Sequence, residues 1–257
     1  MNNFPKISII TVSYNSGATI EDTIKSVANQ NYPNVEYVVV DGLSTDSTLG
    51  ILKSYSDVIT KVISEKDSGI YDAMNKGIAH ATGDIVGLIN SDDILSDNLV
   101  LQRVSEVFSD NPEIEACYGD LCYVRQNDLK KTIRYWRSKP YQTDFFNKGW
   151  VPPHPTLYIR REIYEKYGGF DLNYNIAADF ELMLRFMEVH KIKTAYLPNV
   201  LVKMRLGGTT NKNIKNIILQ NLEIRLALKK HAISSSLFNF MFYKVCSRFL
   251  QFTKRPQ

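Results

Sequence analysis

The sequence predicts an α/β fold in which a doubly wound, mostly parallel sheet is flanked by helices. Apolar runs and amphipathic stretches alternate through the first half of the chain, and this order is typical of strand–helix–strand units. The apolar runs are continuous, as expected of strands that are buried on both faces. The chain has 257 residues, 44% of them hydrophobic, which is enough for one large domain or two small ones.

The elements of the first half follow from the spacing of apolar residues. The strands are predicted at 7–12, 35–41, 57–64 and 84–90, and the helices at 18–30, 44–55 and 71–81. We expect the second helix to begin at Ser44 or Thr45, because either side chain can cap a helix.

The second half is less regular. The stretch EACYGDLCYV predicts strands around a turn at Gly119–Asp120. The Pro-rich segment 151–159 predicts a loop that enters a strand, and a short helix at 160–170 follows. Residues 176–190 predict an amphipathic helix with Asp179 in its first turn, where the helix dipole favours an anion.

The C-terminal part of the chain is strongly basic. Residues 203–257 contain 11 Lys or Arg and one acid, Glu223, whereas residues 1–202 have a net charge of −6. A basic helix is predicted at 213–231 and an aromatic helix at 236–252. Such a tail indicates a peripheral membrane contact or a homo-oligomer contact; a merely solvated helix, or one that packs back on the domain, is the alternative.

The cysteines and the N-terminus bear on location. Cys117, Cys122 and Cys246 have no metal-binding spacing and are odd in number, so a reducing compartment is expected. The start of the chain has no secretory signal, and no run reaches the roughly 18 apolar residues of a spanning helix. We therefore expect a cytoplasmic protein, with the inner face of the membrane as the place where the tail would bind.

Polar residues follow all four predicted strands of the first half. They are Ser13, Tyr14 and Asn15; Asp41; Glu65, Lys66 and Asp67; and Asn90, Ser91, Asp92 and Asp93. Ligands of doubly wound sheets bind at the carboxyl ends of the strands, so these side chains mark a candidate site. Any one of them could instead be an ordinary turn residue.

Asp92 and Asp93 raise the question of a metal. They directly follow the apolar strand IVGLIN, and carboxylates near an apolar strand need a compensating charge. Hard oxygen ligands favour Mg²⁺ or Mn²⁺, and such an ion usually completes its shell with substrate phosphates. The chain contains neither a dinucleotide-binding glycine motif nor a P-loop, so a metal would have to hold the phosphate; an Asx turn is the alternative.

Four segments in order resemble the family 2 glycosyltransferases, which have the GT-A fold. They are ISIITVSYNSGATIEDTIKSVANQ, VEYVVVDGLSTDST, GIYDAMNKGIAHATGDIVGLINSDD and HPTLYIRREIYEKYGGFDLNYNIAADFELMLR. The resemblance covers about residues 5–208. It implies an inverting transfer from a nucleotide-diphospho-sugar, UDP-linked, to a hydroxyl of a glycan or lipid-linked acceptor, in the setting of surface-polysaccharide assembly.

The resemblance also implies roles for single residues. Asp179 would be the general base, Asp92 the metal ligand, and Asp93 a second ligand or a sugar contact. Donor contacts would come from Tyr14, Asn15, Asp41, Asp67, Lys76, Asp93 and Arg205, and an acceptor or phosphate contact from His154.

The chain departs from the family pattern at several positions. Asn90 stands where the first acid of the metal motif is expected, so the charge must come from Asp92 and Asp93. Gly42 follows Asp41 where the family often has a second acid, Ala178 precedes Asp179 where it often has a Glu, and Met74 stands where it often has an Arg, with Lys76 nearby.

The expected division is a glycosyltransferase domain at 1–208, with a nucleotide-binding half at 1–95 and an acceptor half at 96–208, followed by a tail at 209–257.

Three other functions are alternatives to glycosyl transfer. A sugar-phosphate nucleotidyltransferase would need a Gly-rich basic loop after the first strand, which this chain lacks. A non-catalytic scaffold would be favoured by loss of Asp92 or Asp179, and both are present. Residues 203–257 carry no recognisable nucleic-acid motif, so no nucleic acid is expected.

Overall fold

A nine-stranded sheet runs through the described part of the chain, which comprises residues 4–207, 214–233 and 251 of a computed structural model. The strands are β1 (Ile7–Ser13), β2 (Val35–Asp41), β3 (Lys61–Ser64), β4 (Ile85–Asn90), β5 (Ile94–Leu95), β6 (Ala116–Arg125), β7 (Asp128–Trp136), β8 (Tyr158–Arg160) and β9 (Thr194–Arg205). The helices are α1 (Ile20–Ala28), α2 (Thr48–Ser54), α3 (Ile70–His80), α4 (Val100–Asp110), α5 (Arg161–Tyr167), α6 (Ala178–Met183) and α7 (Ile214–Lys230). A 3₁₀ turn covers His154–Thr156, and a π-helical segment, Leu184–Val189, continues α6.

The strand order is β3-β2-β1-β4-β8-β6-β9-β5, and β7 pairs with β6 outside this path. The first four strands of this order are parallel, as predicted, while β8 runs antiparallel to both β4 and β6. All seven residues of β1 are buried, because helices cover both faces of the sheet. One apolar core contains residues of α3, α6 and α7, and the other contains residues of α1, α2 and α4.

The predicted turn at Gly119–Asp120 is wrong. β6 continues through both residues, with an irregularity in its pairing to β9 at this point. A Cβ atom on Gly119 would lie 2.5 Å from Leu201 Cγ and 2.8 Å from the Asn199 carbonyl oxygen. The glycine therefore permits a close approach of β9 and does not mark a turn.

The predicted start of α2 is also wrong. The helix begins at Thr48, and Ser44 instead donates its backbone amide and its hydroxyl to Asp41. Asp46 accepts hydrogen bonds from the amides of Thr48 (3.0 Å) and Gly17 (2.9 Å). Residues 44–47 thus close the loop at the end of β2, because their polar side chains satisfy loop amides before the helix starts.

The basic helix predicted at 213–231 is α7. Its inner face is buried at Glu223, Ile224, Ala227 and Leu228 and contacts α6. None of the helices in the described part of the chain is long and apolar enough to cross a membrane. The aromatic helix predicted at 236–252 and Cys246 lie outside the described residues, apart from Gln251; Cys117 and Cys122 are buried free thiols.

Candidate active site

A cleft of about 1310 Å³ opens at the carboxyl ends of β1 and β4. Residues from both halves of the chain line it, from Tyr14 and Asn15 at one end to Trp150 at the other. The predicted site residues Asp67, Asp92, His154, Asp179 and Arg205 also line it. Parallel strands end at the same edge of a sheet, and this brings strand-end residues together.

Tyr14, Asn15 and Asp67 form one end of the cleft. The Tyr14 side chain is 66% exposed. Asn15 has φ 48°, a conformation that Asn tolerates, and its side-chain oxygen accepts the Thr45 amide at 2.9 Å. A Cβ atom on Gly42 would lie 2.4 Å from Asp67 Oδ2 and 3.4 Å from the Tyr14 ring. Gly42 therefore lets these two side chains come together.

Asp41 lies behind this end of the cleft and does not line it. Its carboxylate is fully buried and accepts hydrogen bonds from the hydroxyls of Ser13 (3.2 Å), Ser44 (2.5 Å) and Ser64 (3.0 Å) and from the Ser44 amide (2.9 Å). These bonds tie together the ends of β1, β2 and β3. In this structure Asp41 therefore braces these strand ends, and its contact with a donor stays a prediction.

The two neighbouring acids after β4 have different surroundings. Asp92 lines the cleft, whereas Asp93 is fully buried and accepts hydrogen bonds from Asn90 Nδ2 (3.2 Å) and from the Arg205 amide (3.3 Å). Burial, together with the charge of Asp92, raises the pKa of Asp93 well above its usual range. The structure thus brings Asp92 to the cleft but not Asp93.

Arg205 and Lys76 are already engaged within the protein. Arg205 is buried, forms an ion pair with Asp22 and donates to the Asp92 carbonyl oxygen at 2.6 Å. It therefore holds the backbone of the segment that follows β4. Lys76 does not line the cleft; its ammonium group contacts Glu65 Oε1 at 2.8 Å and the Lys66 carbonyl at 2.7 Å.

Asp179 stands in the first turn of α6, as predicted, and makes two side-chain contacts that leave it partly exposed to the cleft. Its Oδ2 lies 3.1 Å from His154 Nδ1, and the Tyr71 hydroxyl lies 3.3 Å from its Oδ1. The exposed fractions of the Asp179 and His154 side chains are 21% and 34%. The structure therefore unites two residues that were predicted separately.

The surroundings of Asp179 favour its ionised form. Burial opposes ionisation, but the charge of a protonated His154 and hydrogen bonds from His154, the Phe180 amide and Tyr71 together lower the pKa of Asp179 below its ordinary value. Burial and the Asp179 charge raise the pKa of Tyr71, so that its hydroxyl stays a donor. A carboxylate held in this way can accept a proton from a hydroxyl group that enters the cleft.

Glu223 of α7 supports the loop that leads to Asp179 and was not among the predicted site residues. Its carboxylate is buried and accepts the amides of Asn175 (3.0 Å), Ile176 (2.8 Å) and Ala177 (2.9 Å). The sequence holds one signal of this role, because Glu223 is the single acid among residues 203–257.

Asn75 and Gly77, within the segment GIYDAMNKGIAHATGDIVGLINSDD that resembles the family, have structural roles. Asn75 exchanges two hydrogen bonds with the backbone of Phe170, at 2.7 and 2.9 Å, and so joins α3 to the segment before α6. A Cβ atom on Gly77 would lie 2.3 Å from Ile10 Cγ2. The glycine thus allows α3 to pack closely on β1.

Comparison with known proteins identifies relatives in sequence. The family model described as glycosyl transferase family 2 matches residues 8–168. An uncharacterized glycosyltransferase of Mycobacterium tuberculosis is 34% identical over 187 residues, which cover 72% of this chain and 70% of that protein. A PGL/p-HBAD biosynthesis glycosyltransferase of the same organism is 27% identical over 228 residues, 87% of this chain and 86% of the relative.

Solved structures agree in fold. TarS 1–349 of S. aureus, also solved in complex with UDP-GlcNAc, matches with a TM-score of 0.67 and 18% identity over 95% of this chain and 72% of that chain. A mannosyltransferase from Pyrobaculum calidifontis, in complex with GDP-Man and Mn²⁺, matches with a TM-score of 0.62 and 18% identity over 96% and 81%. With the sequence matches, they show that this chain is a transferase enzyme with the GT-A fold and belongs to the family 2 glycosyltransferases.

Proposed function

We propose that this enzyme transfers a sugar, with inversion, from a UDP-linked donor to a hydroxyl of a glycan or lipid-linked acceptor. The observation that carries the proposal is the Asp179 carboxylate, which faces the same cleft as the strand-end residues and is held by His154 and Tyr71. The complex of TarS with UDP-GlcNAc supports UDP as the nucleotide.

The donor would lie along the carboxyl ends of β1 and β4. Tyr14, Asn15 and Asp67 would contact the nucleoside, because they line one end of the cleft. The diphosphate would then face Asp92 at the end of β4. Asp41 would act from behind the cleft by bracing three strand ends. Arg205, which lines the cleft, would hold the Asp92 backbone.

The residues at the end of β4 fit a divalent cation such as Mg²⁺ or Mn²⁺. Asn90, Ser91 and Asp92 line the cleft and have side chains with oxygen atoms. One carboxylate with substrate phosphates is a common magnesium arrangement. The described residues contain no group of three or more His, Cys, Asp or Glu that could hold a metal ion. The donor phosphates would therefore supply most of the negative ligands. A bound ion would stabilise the charge of the leaving diphosphate.

Asp179 would accept the proton of the acceptor hydroxyl while that oxygen bonds to the anomeric carbon. The bond from the anomeric carbon to the diphosphate oxygen breaks on the opposite face, and this inverts the configuration. His154 and Tyr71 contact different oxygens of the carboxylate, so they orient it toward the acceptor. Positioned general bases contribute about 10²–10⁴-fold to rates.

The outer face of α7 supports a peripheral contact with an anionic membrane at the cytoplasmic side. Ile218, Leu222 and Leu226 are exposed on it at 56%, 53% and 59%, while the acid of this helix, Glu223, is turned inward. An apolar stripe with nearby cations suits a lipid surface. Sedimentation with anionic vesicles, reduced by Leu222→Asp but not by Val62→Asp at an exposed apolar residue of β3, would support this contact; equal sedimentation of both variants would contradict it.

The experiment for the proposed function is a donor screen. The protein is incubated with UDP-, GDP- and dTDP-sugars and Mn²⁺, and release of nucleoside diphosphate is measured. We expect slow, metal-dependent release with a UDP-sugar. If no donor is cleaved, and no nucleoside diphosphate with Mn²⁺ shifts the melting temperature, the proposal is refuted.

A further inference from the structure

The wall of the cleft formed by β7 and the segment after it is basic. Residues 130–150 contain six Lys or Arg and one acid, Asp144. Arg137, Ser138, Lys139 and Trp150 from this stretch line the cleft, and we call these four residues the basic shelf. The acids that line the same cleft are Asp67, Asp92 and Asp179, so the cleft carries opposite charges at different places.

The two cations of the basic shelf have no carboxylate partner. Neither Arg137 nor Lys139 forms an ion pair with any residue in the described ranges. Lys139 Nζ instead lies 4.0 Å from the centre of the Phe145 ring and 5.8 Å from that of Trp150. Burial and the nearby Lys148 lower the pKa of Lys139. An anion bound here would offset the repulsion between the Lys139 and Lys148 charges.

Ser138 adds an unused hydrogen-bonding group. It is 5% exposed, and its backbone amide donates to Asp120 Oδ1 at 2.6 Å. Its hydroxyl is buried and has no hydrogen-bond partner. Leaving such a group unpaired costs about 1–3 kcal/mol, and a ligand oxygen that reaches this hydroxyl from the cleft would remove that cost.

The basic shelf lies closer to Asp179 than to the end of β1. The strand path from β1 to β7 passes β4, β8 and β6, which is roughly 19 Å at about 4.8 Å per strand. Trp150 precedes His154, the partner of Asp179, by four residues. The Phe146 ring packs 5.7 Å from that of Phe180, the neighbour of Asp179. A donor nucleoside at the end of β1 would therefore be far from the basic shelf.

We propose that the basic shelf binds a phosphate or diphosphate group of the acceptor, with the adjoining sugar against the Trp150 ring. Two cations and a hydroxyl suit phosphate oxygens, and an aromatic ring suits the apolar face of a sugar. This inference rests on the proposed function, because it names the acceptor of that reaction. The phosphate could belong to a lipid-linked sugar or to a phosphate-bearing glycan.

The test uses the fluorescence of the two tryptophans, Trp136 and Trp150, which both line the cleft. The wild type and Trp136→Phe are titrated with inorganic pyrophosphate, undecyl diphosphate, glucose 1-phosphate and methyl glucoside, with and without saturating UDP and Mg²⁺. We expect the phosphorylated probes to bind at least tenfold more tightly than methyl glucoside, with UDP present as well. Arg137→Gln/Lys139→Gln should lose most of this binding, while the charge-matched control Lys130→Gln/Lys131→Gln, at exposed residues of β7, should retain it.

The affinities of the probes distinguish the two sources of the phosphate. Tighter binding of undecyl diphosphate supports a lipid-linked acceptor, and tighter binding of glucose 1-phosphate supports a glycan phosphate. Equal affinity in the two double variants overturns the proposal, as does loss of all probe binding when UDP is added, because the basic shelf would then belong to the donor. If the protein binds no UDP, the proposed function is refuted. The titrations without UDP then still decide whether the basic shelf binds phosphate groups.

Discussion

Substitution of Glu223 should impair catalysis by Asp179 without changing donor binding. Its buried carboxylate accepts three amides from consecutive residues, 175–177, and Asp179 follows two residues later. Glu223→Gln and Glu223→Ala remove the charge and all acceptor atoms, respectively. Neither variant touches the donor end of the cleft, where Tyr14 and Asp92 lie.

The expected size of the effect follows from the three hydrogen bonds. A buried amide left without a partner costs about 1–3 kcal/mol, so Glu223→Ala should lower the free energy of unfolding by about 3 kcal/mol or more. Glu223→Gln keeps one oxygen and should cost about 1–3 kcal/mol. A shift of about 1 Å in a catalytic group can cost roughly 10²-fold in rate, so kcat should fall while KM for the donor stays constant.

The assay combines urea unfolding with steady-state kinetics at a temperature where every variant is folded. Glu188→Gln is the matched control. Glu188 lies on the π-helical continuation of α6, nine residues after Asp179, and accepts the Asp144 amide at 3.1 Å and the Tyr141 hydroxyl. If Glu223→Ala is destabilised but keeps a kcat within twofold of wild type, Glu223 does not position Asp179 and the reasoning is refuted.

Three further outcomes are expected. Asp92→Asn should weaken metal-dependent UDP binding at least tenfold in calorimetry; an unchanged affinity would remove it from the metal site. His154→Ala should raise the lowered pKa of Asp179 and move the acid limb of the kcat/KM profile to higher pH; an unmoved limb would contradict the pairing. Burial opposes ionisation of Glu36, but hydrogen bonds to its carboxylate lower its pKa from 4.5 to about 2. The ionised carboxylate therefore stabilises the fold by about 3 kcal/mol above about pH 4.5, and this contribution is lost as the pH falls towards 2. Glu36→Gln should flatten that acid dependence in urea unfolding, and an unchanged slope would count against it.

The order of strands and helices in the first half could be predicted because it is encoded locally. Continuous apolar runs identified β1, β2 and β4, and helical spacing identified α1 and α3 to within about two residues. Asp179 could be placed at a helix start for the same reason. The turn predicted at Gly119 was wrong because a glycine is needed there for the close approach of β9, a strand 75 or more residues further along the chain.

The candidate site was less accessible to sequence reasoning, since neighbouring residues at a strand end can face in different directions. Asp92 and Asp93 are adjacent, yet one lines the cleft and the other is buried. Asp41 ends β2, at a position from which a side chain can reach a ligand. In this structure its carboxylate is buried and accepts hydrogen bonds from three serine hydroxyls. Glu223 depends on a contact between distant helices, which no local pattern reveals.

The most direct test of the proposed mechanism is Asp179→Asn. The asparagine side chain is nearly the same size, but it cannot accept the acceptor proton. Transfer and UDP affinity are measured on the same preparation, together with the wild type. We expect kcat to fall about 10²–10⁴-fold, with the dissociation constant for UDP and Mn²⁺ unchanged within twofold. Transfer at the wild-type rate, or an equal loss of UDP binding, would contradict the assignment of Asp179 as the general base.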